Sequence, residues 1–424
     1  MGATHTKTTL EVDEREVIGR ALEQGFLPQS TVADREKTAA DVRGNLPRVW
    51  RQVHESFAAD AGPSTTLTLL YENIGQGVAS KARYICDLNA AGYACSHVMV
   101  SKCAKTGGAA FNYDAAIAAL VSKLVVAKIS PHFTMLYHAN TSQGEERCML
   151  LEANERTFDK FLTMNFNVLR DGPEKAKLER SFKFQIAHAL LAAFVTFGVS
   201  HNDLHAQNVM GVAVRPGTTY RYKVFEREFT VDLQGWLWKL IDFDNADIGG
   251  THTGADGVQY ETDDAVLKKC AGPIRDFLYL FRSGDGAPDP ALRSLAVEMV
   301  EEYGFGPLAH MRFLEAVLSQ NCDDAERADA RHITDDFDLS RAVDTSDVHD
   351  GFGATLQFRR VSSYFVVSPA LKPAEIPVLI ARGTAPPASL PDGTADAHHP
   401  YGGPRRPRRQ AHRHAPIPVP VTKS

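Results

Sequence analysis

The chain has 424 residues, 44% of them hydrophobic and 23% charged, which is the composition of a soluble globular protein with room for two domains or one large two-part unit. The net charge is −6, but from Ala397 onward five arginines and Lys423 stand without an acidic residue. The rest of the chain therefore carries −12, which argues against a body that binds specific nucleic acids.

The cysteines and the apolar segments predict an intracellular, cytoplasmic protein. Six cysteines lie scattered without a C-x-x-C pair, which favours reduced thiols over a disulfide framework or a zinc site. The longest apolar stretch, residues 186–199, is shorter than the roughly 20 residues that span a bilayer, so we expect no transmembrane segment. The start, residues 1–6, fits the M-G-x-x-x-[ST] pattern for N-myristoylation, which would give a weak lipid anchor at Gly2; an ordinary solvated terminus is the alternative.

Residues 1–65 predict a helical N-terminal extension. The segment 11–24 is amphipathic, and the segment 33–57 carries apolar residues at helical spacing. The sequence Ala-Gly-Pro-Ser at 61–64 ends this pattern. We therefore expect two helices before the main body of the chain begins.

Residues 66–153 predict a sheet of five strands with one helix. Runs rich in Val, Leu, Tyr and Ile predict strands at 66–71, 82–88, 97–103, 133–139 and 147–151. Between the third and fourth strands, residues 112–128 place their apolar side chains on one face of a helix.

Residues 154–320 predict a mostly helical region. Helices are expected at 174–198, 262–282, 290–303 and 307–319, with a hairpin at 220–225 and 228–233 and a strand at 236–241. Residues 321–383 form a C-terminal extension. Residues 384–424 lack periodicity and are rich in Pro, Arg and His, which predicts a disordered tail.

The segment 201–208, His-Asn-Asp-Leu-His-Ala-Gln-Asn, carries the residues best suited to phosphoryl transfer. An acceptor hydroxyl must be oriented and relieved of its proton, which is a task for a carboxylate such as Asp203. Magnesium prefers hard oxygen ligands, which Asn208 and Asp242 supply. The alternative is a surface loop with unrelated polar groups.

Two further features suit the phosphates of a nucleotide. Gly75 and Gly77 lie between two predicted strands, where backbone amides can approach a phosphate closely, although such a pair is often only a turn. Lys102, on the third strand, supplies a cation for the α and β phosphates. Lys105 is the second candidate for that role, and an exposed lysine at a strand end is the alternative for either.

Taken together, Gly75 and Gly77, Lys102, the 201–208 segment and Asp242-Phe243 resemble the protein kinase signature set. Over residues 66–285 the sequence of these motifs most resembles that of the serine/threonine-type kinases of large DNA viruses. The resemblance implies an α+β, bilobal protein-kinase-like fold, with a five-stranded N-lobe at 66–153 and a mostly helical C-lobe at 154–320. It also implies the cofactors ATP and Mg, with the adenine held by the backbone near Glu152 to Asn154.

Several departures leave the acceptor open. No glutamate stands on the predicted helix to pair with Lys102, and Asp114 is the nearest carboxylate. Asp244 replaces the glycine of Asp-Phe-Gly, and His205 stands where lysine is usual. The acidic residue after Asp-Phe and the His-Asn-Asp-Leu sequence at 201–204 also resemble choline kinases and aminoglycoside phosphotransferases. The acceptor is therefore a protein hydroxyl or a small-molecule hydroxyl, and the missing glutamate leaves a noncatalytic pseudokinase, acting as a binding module, as a further alternative.

Two features outside this set also carry alternatives. Asp276 resembles the buried aspartate that braces the catalytic loop of kinases, but an exposed helix carboxylate fits the sequence equally well. The basic run 405–409 predicts either a nuclear-import signal or a solvated, solubilising tail.

Overall fold

The computed structural model describes residues 31–47, 49–50, 53, 69–76, 80–88, 95–104, 108–140, 147–154, 156–162, 172–248, 272–282, 287–322 and 333–344. All of them belong to one compact unit that ends at Gly383. The predicted helix 11–24, the tail 384–424, Gly2 and Gly77 lie outside the described residues.

The described residues form a mixed α+β fold. Its seven α-helices are α1 Val32–Gly44, α2 Gly108–Val126, α3 Phe158–Phe161, α4 Pro173–Phe197, α5 Pro273–Leu280, α6 Pro290–Tyr303 and α7 Pro307–Asn321. Its strands are β1 Leu69–Gln76, β2 Ser80–Leu88, β3 Cys95–Ala104, β4 Leu136–Asn140, β5 Cys148–Glu152, β6 Arg156–Thr157, β7 Val209–Ala213, β8 Thr219–Val224, β9 Arg227–Asp232, β10 Trp236–Leu240 and β11 Asp335–Asp338.

Strands β1 to β5 form one antiparallel sheet in the order β1-β2-β3-β5-β4, and helix α2 follows β3. In this sheet Lys102 lies opposite Ala82 on one side and Met149 on the other, which places it on a central strand. The fourth strand begins at Leu136, later than the predicted 133, because Phe133 instead bridges in parallel to Leu240 of β10. That bridge connects the five-stranded sheet to the strand that leads into Asp242.

Helix α4 is the long buried helix of the fold and lies close to the predicted 174–198. A proline opens its first turn, and Gly198 ends it with φ 70°, a left-handed conformation that glycine adopts without strain. Gln185 ties the helix to β10 because its Nε2 donates to the Trp236 carbonyl at 3.0 Å and its Oε1 accepts from the Trp238 amide at 2.9 Å. In the part of the chain that the structure describes, no helix is both long and apolar enough to cross a membrane.

The remaining strands form two small sheets, and all of them except β11 lie in the region 154–320, which the sequence predicts to be mostly helical. One has the order β10-β7-β6, and the other has the order β11-β8-β9, with β11 parallel to β8. The hairpin β8–β9 and strand β10 lie where the sequence predicts them, whereas β6, β7 and β11 are not predicted. Strand β11 comes from the C-terminal extension, so part of that extension completes a sheet.

Helix α1 belongs to the predicted N-terminal extension and packs on the main hydrophobic core. Val32 and Val42 of the helix, with Val49 and Val53 after it, belong to this core and are nearly fully buried. The Val32 amide donates to Asp335 of β11 at 2.9 Å, and Lys128 pairs with the same carboxyl at 2.7 Å. The two extensions therefore meet beside the residues that follow α2.

A disulfide joins Cys103 of β3 to Cys148 of β5. The prediction that all cysteines are reduced thiols is wrong for these two residues. They are direct neighbours in the antiparallel register of β3 and β5, although 45 residues separate them in the chain. Strand register brings them together, and cysteine spacing in the sequence carries no information about register.

Candidate active site

Lys102 lies at the centre of a cluster of carboxylates. Its Nζ is 2.6 Å from Asp114 Oδ2 and 2.6 Å from Asp242 Oδ1, and its side chain is 14% exposed. Burial alone lowers the pKa of Lys102, but the two carboxylates outweigh burial and raise the pKa above its usual range. The lysine is therefore held as a cation at the point where α2, β3 and the segment after β10 meet.

Asp114 is the carboxylate on α2 that pairs with Lys102. It lies on α2 and is nearly fully buried, and the predicted contact with Lys102 is present although the side chain is one methylene shorter than glutamate. Its second oxygen, Oδ1, accepts a hydrogen bond from the Phe243 amide at 3.0 Å. One carboxylate thus holds both Lys102 and the backbone next to Asp242.

Asp242 follows β10 in a left-handed conformation, with φ 65°. Burial raises the pKa of Asp242, but Lys102 outweighs burial and holds the pKa below its usual range, so the group is a carboxylate. Its side chain remains 39% exposed. The next residue, Phe243, is buried against the His201 ring, with 4.9 Å between ring centroids, which anchors the segment.

Asp276 of α5 binds the backbone at the start of the 201–208 loop. The two carboxyl oxygens of Asp276 accept from the backbone amides of His201 and Asn202, each at 2.9 Å. Asn202 has φ 61°, a conformation that is uncommon without such support. Burial raises the pKa of Asp276, although His201 and Arg275 oppose that effect. Of the two sequence-based interpretations, the structure shows the buried brace.

His201 holds the loop to the strand that precedes Asp242. Its Nε2 lies 2.9 Å from the Ile241 carbonyl, and a carbonyl only accepts, so Nε2 carries the proton. The Ile241 amide in turn donates to the Asn208 carbonyl at 3.1 Å. These two hydrogen bonds make the loop and the Asp242 segment one connected unit.

Asp203 and Asn208 lie at the two ends of this loop and contact each other. Asn208 Nδ2 donates to the Asp203 main-chain carbonyl at 2.9 Å, which directs the opposite end of the amide, Oδ1, away from that contact. Asp203 Oδ2 accepts from Asn245 Nδ2 at 3.1 Å. A 3₁₀ turn at Ala206–Asn208 presents Asn208, and His205 Nδ1 caps the turn by accepting from the Gln207 amide at 3.2 Å.

Asp244 adds a third carboxyl group beside Asp203 and Asp242. Its side chain reaches solvent, yet partial burial together with the neighbouring Asp242 raises the pKa of Asp244 to about 6. Its Oδ1 accepts from Asn245 Nδ2 at 2.9 Å. The glycine expected at this position would supply neither the charge nor this contact.

Of the two predicted phosphate-binding glycines, the structure describes one. Gly75 lies near the end of β1, opposite Ala82 of β2, and the register of these strands is irregular just before it. Gly77 falls in the segment 77–79, outside the described residues. Gly75 is thus on the strand next to β2, which pairs directly with the strand of Lys102.

Glu152, which the sequence predicts to lie beside adenine through its backbone, uses its side chain inside the protein. Its carboxylate is fully buried between Arg35 of α1 and Lys239 of β10. Arg35 donates to both carboxylate oxygens, from Nε at 2.8 Å and from Nη2 at 2.7 Å. Lys239 Nζ lies 3.0 Å from Oε1. Burial raises the pKa of Glu152, but the two cations outweigh burial and lower it to about 2. The Glu152 amide also donates to the Met135 carbonyl at 2.8 Å, so neither the carboxylate nor the amide of this residue is available to a nucleotide.

Asn154 is also held by the protein. It is buried at the start of the connection that follows β5, and its Nδ2 donates to Thr134 Oγ1 at 2.8 Å. The segment from Glu152 to Asn154 is therefore positioned by contacts on its inner side.

The donor set suits magnesium held together with phosphates. Among the described residues there is no group of three or more His, Cys, Asp or Glu that could hold a metal by itself. Mg²⁺ commonly takes only one or two carboxylates and completes its shell with phosphate oxygens and water. Asp242, with its exposed carboxylate, and Asn208 fit that pattern.

Sequence reasoning missed three residues of this region: Arg35, Lys239 and Asn245. Lys239 lies in the apolar run 236–241, and a lysine in such a run is a signal for a buried partner, but it does not identify that partner. Arg35 stands between Asp34 and Glu36 and gives no such signal. Asn245 comes two residues after Phe243 and carries no motif. Comparison with known protein families and with curated proteins finds no match for this chain.

Proposed function

We propose that this chain is an ATP- and magnesium-dependent phosphotransferase with a bilobal, protein-kinase-like fold. In this proposal the five-stranded sheet with α2 is the N-lobe, and the residues after Asn154 form the C-lobe. The observation that carries the proposal is the contact between Lys102 and Asp242, whose Nζ and Oδ1 atoms lie 2.6 Å apart although 140 residues separate them. Phosphoryl transfer needs a lysine for the phosphates and a carboxylate for their metal in one site.

Each residue then has a specific task. Lys102 contacts the α and β phosphates, and the backbone at Gly75 and Gly77 covers them. Asp203 orients the acceptor hydroxyl and accepts its proton while the acceptor oxygen forms a bond to the γ phosphorus. The bond from that phosphorus to the bridging oxygen breaks, and ADP leaves.

Asn208 and Asp242 would hold the magnesium ion. The ion, when bound, neutralises charge on the phosphate oxygens as the leaving group separates. The chain's own contribution is position, because the Asn208 amide is oriented by the Asp203 carbonyl and Asp242 by Lys102. Both ligands are thus oriented before a nucleotide binds.

The preferred acceptor is a protein serine or threonine. A small-molecule hydroxyl is the second candidate, and Asp244 is the observation that favours it. This extra carboxyl beside Asp203 would attract an acceptor that carries a positive charge next to its hydroxyl. An aminoglycoside or choline has that chemistry.

The pairing of Lys102 with Asp114 bears on the third alternative, a noncatalytic pseudokinase. The sequence favours that alternative because the helix glutamate is missing. Asp114 makes the expected ion pair at 2.6 Å and also holds the Phe243 amide, so the lysine does not lack an anchor. This supports a catalytic protein over a pure binding module.

Transfer of radiolabelled phosphate from ATP tests the proposal. Wild-type protein with Mg²⁺ is incubated with casein, with choline, with kanamycin and without acceptor. Label on casein supports a protein kinase, label on a small molecule supports the second candidate, and label on none of them contradicts phosphotransfer.

Two variants then test the assigned roles. Asp203→Asn keeps the shape but loses the base, so turnover should fall about 10²- to 10⁴-fold while ATP affinity changes little. Asp242→Asn should weaken magnesium-dependent ATP binding as well as turnover. Asp159→Asn is the control and should retain full activity. Asp159 contacts Gln207 of the 201–208 loop but does not contact Lys102, Asp203 or Asp242. Transfer by Asp203→Asn within threefold of wild type would contradict its role.

A further inference from the structure

Asn245 lies at a place where its side-chain amide contacts two carboxyl groups at once. Its Nδ2 is 3.1 Å from Asp203 Oδ2 and 2.9 Å from Asp244 Oδ1. Carboxylate oxygens only accept hydrogen bonds, so the atom between them must be the amide nitrogen with its two protons. The amide therefore donates one hydrogen bond to each neighbour.

The backbone around Asn245 holds this amide in place. On one side, the Phe243 amide donates to Asp114, and the Ala246 amide donates back to the Phe243 carbonyl at 3.1 Å, which closes a turn around Asn245. On the other side, Asp247 and Ser200 exchange two backbone hydrogen bonds of 2.9 and 3.0 Å. Ser200 directly precedes the 201–208 loop, so the turn that carries Asn245 is attached to that loop.

The contact leaves Asp203 with one oxygen free for an acceptor. Oδ2 takes the hydrogen bond from Asn245, and the main-chain carbonyl takes the one from Asn208. Within the described part of the chain nothing donates to Asp203 Oδ1. The carboxylate is thus held in one rotamer with a single oxygen left to meet a hydroxyl.

Electrostatics adds a second reason for an uncharged donor at this position. Asp203, Asp242 and Asp244 lie close together, and Lys102 neutralises Asp242 through a direct contact. The Asn245 amide lowers the repulsion between the other two carboxyls because its protons lie between them. A lysine here would pair with Asp203 and compete with the acceptor, whereas an aspartate would add a further negative charge.

We propose that Asn245 is a positioning residue for phosphoryl transfer, which orients the Asp203 carboxylate toward the acceptor hydroxyl by donating to its Oδ2 atom. This inference rests on the proposed function, because it assigns Asn245 a task in that reaction. Asn245 contacts neither ATP phosphates nor metal in this assignment and acts only through Asp203.

Asn245→Leu tests the inference because it keeps the side-chain size and removes the donor. We expect kcat to fall about 10- to 100-fold, the range for loss of a hydrogen bond to a charged group, while KM for ATP stays within threefold. Asn321→Leu is the matched control, since the same substitution removes an amide hydrogen bond of similar length, to the Val317 carbonyl at 2.8 Å, at the end of α7. The control should keep wild-type kcat. Should Asn245→Leu fail to fold, Asn245→Ala removes the donor without bulk and serves the same comparison.

A double-mutant cycle with Asp203→Asn separates positioning from a general structural effect. If Asn245 acts through the Asp203 carboxylate, Asn245→Leu should change kcat by less than about threefold once that carboxylate is gone. An equal loss in both backgrounds would overturn the inference, as would kcat of the single variant within threefold of wild type. Wild-type protein without any transfer would instead overturn the proposed function and this inference together.

Discussion

The buried contact of Arg35 with Glu152 gives a sharp prediction about stability. Arg35→Met replaces the guanidinium by an apolar side chain of similar length and similar helix propensity. The change removes the two hydrogen bonds to Glu152 and the two to the carbonyls of Pro131 and Phe133. Helix α1 would then lose its polar attachment to β5.

The pKa of Glu152 sets the size of the effect. Its decrease from 4.5 to about 2 corresponds to roughly 3 kcal/mol by which the two cations outweigh the cost of burial, at about 1.4 kcal/mol per pH unit. Loss of one partner from a buried pair costs about 3–5 kcal/mol in general. Because Lys239 stays 3.0 Å from the carboxylate, we expect Arg35→Met near the lower end of that range, about 3 kcal/mol. Glu152→Gln should cost more, since it leaves two buried cations without an anion.

Thermal unfolding followed by circular dichroism measures this difference. At about 2–4 °C per kcal/mol, Arg35→Met should melt about 6–12 °C below wild type. Arg43→Met is the matched control on the same helix, because Arg43 is exposed and makes a single long hydrogen bond, of 3.3 Å, to the Tyr137 carbonyl. It should melt within about 3 °C of wild type. Equal melting temperatures for the two variants would refute the reasoning, since they would mean that the ion pair does not hold α1.

Two further predictions concern acid and reductant. Burial holds the pKa of His132 well below 6.5, that of His188 at about 3 and that of His310 at about 4, so these imidazoles take up protons only when the chain unfolds. The contribution of these neutral histidines to the free energy of unfolding should therefore be fully present above pH 6.5. It should fall toward pH 4 by about 1.4 kcal/mol per pH unit for each histidine. A melting temperature that is the same at pH 7 and pH 5 would contradict this. The Cys103–Cys148 disulfide closes a loop of 45 residues, so reduction should cost about 4 kcal/mol, seen as a lower melting temperature in dithiothreitol. Alkylation of both thiols in protein purified without reductant would show that the bond is absent.

The elements that depend on local pattern could be predicted from the sequence. Helix α4 and the hairpin β8–β9 lie within about two residues of their predicted bounds, because apolar periodicity and turn residues act over short distances. Strand β11 was not predicted, since four residues with three acids have no strand signal of their own. Its pairing with β8 comes from the tertiary structure.

The candidate site was predictable where side-chain chemistry was distinctive. Lys102, Asp203, Asn208 and Asp242 carry charges or amides at motif spacing, and the structure brings Lys102 to Asp242 and Asp203 to Asn208. Asn245 could not be predicted, because its contact with Asp203 depends on the turn that carries its side chain. The partners of the Glu152 carboxylate could not be predicted either, since Arg35 is 117 residues away in the chain.

The contact between the Val32 amide and Asp335 has a consequence for biosynthesis. The two residues are 303 positions apart, and β11, which contains Asp335, pairs with β8. A ribosome that adds about 5–20 residues per second needs roughly 15–60 s to travel between them. During that interval the N-terminal end of α1 lacks this acceptor, and once β8 has been made its edge stays open until β11 follows. A nascent chain therefore exposes the unpaired backbone groups of this edge until the last strand emerges.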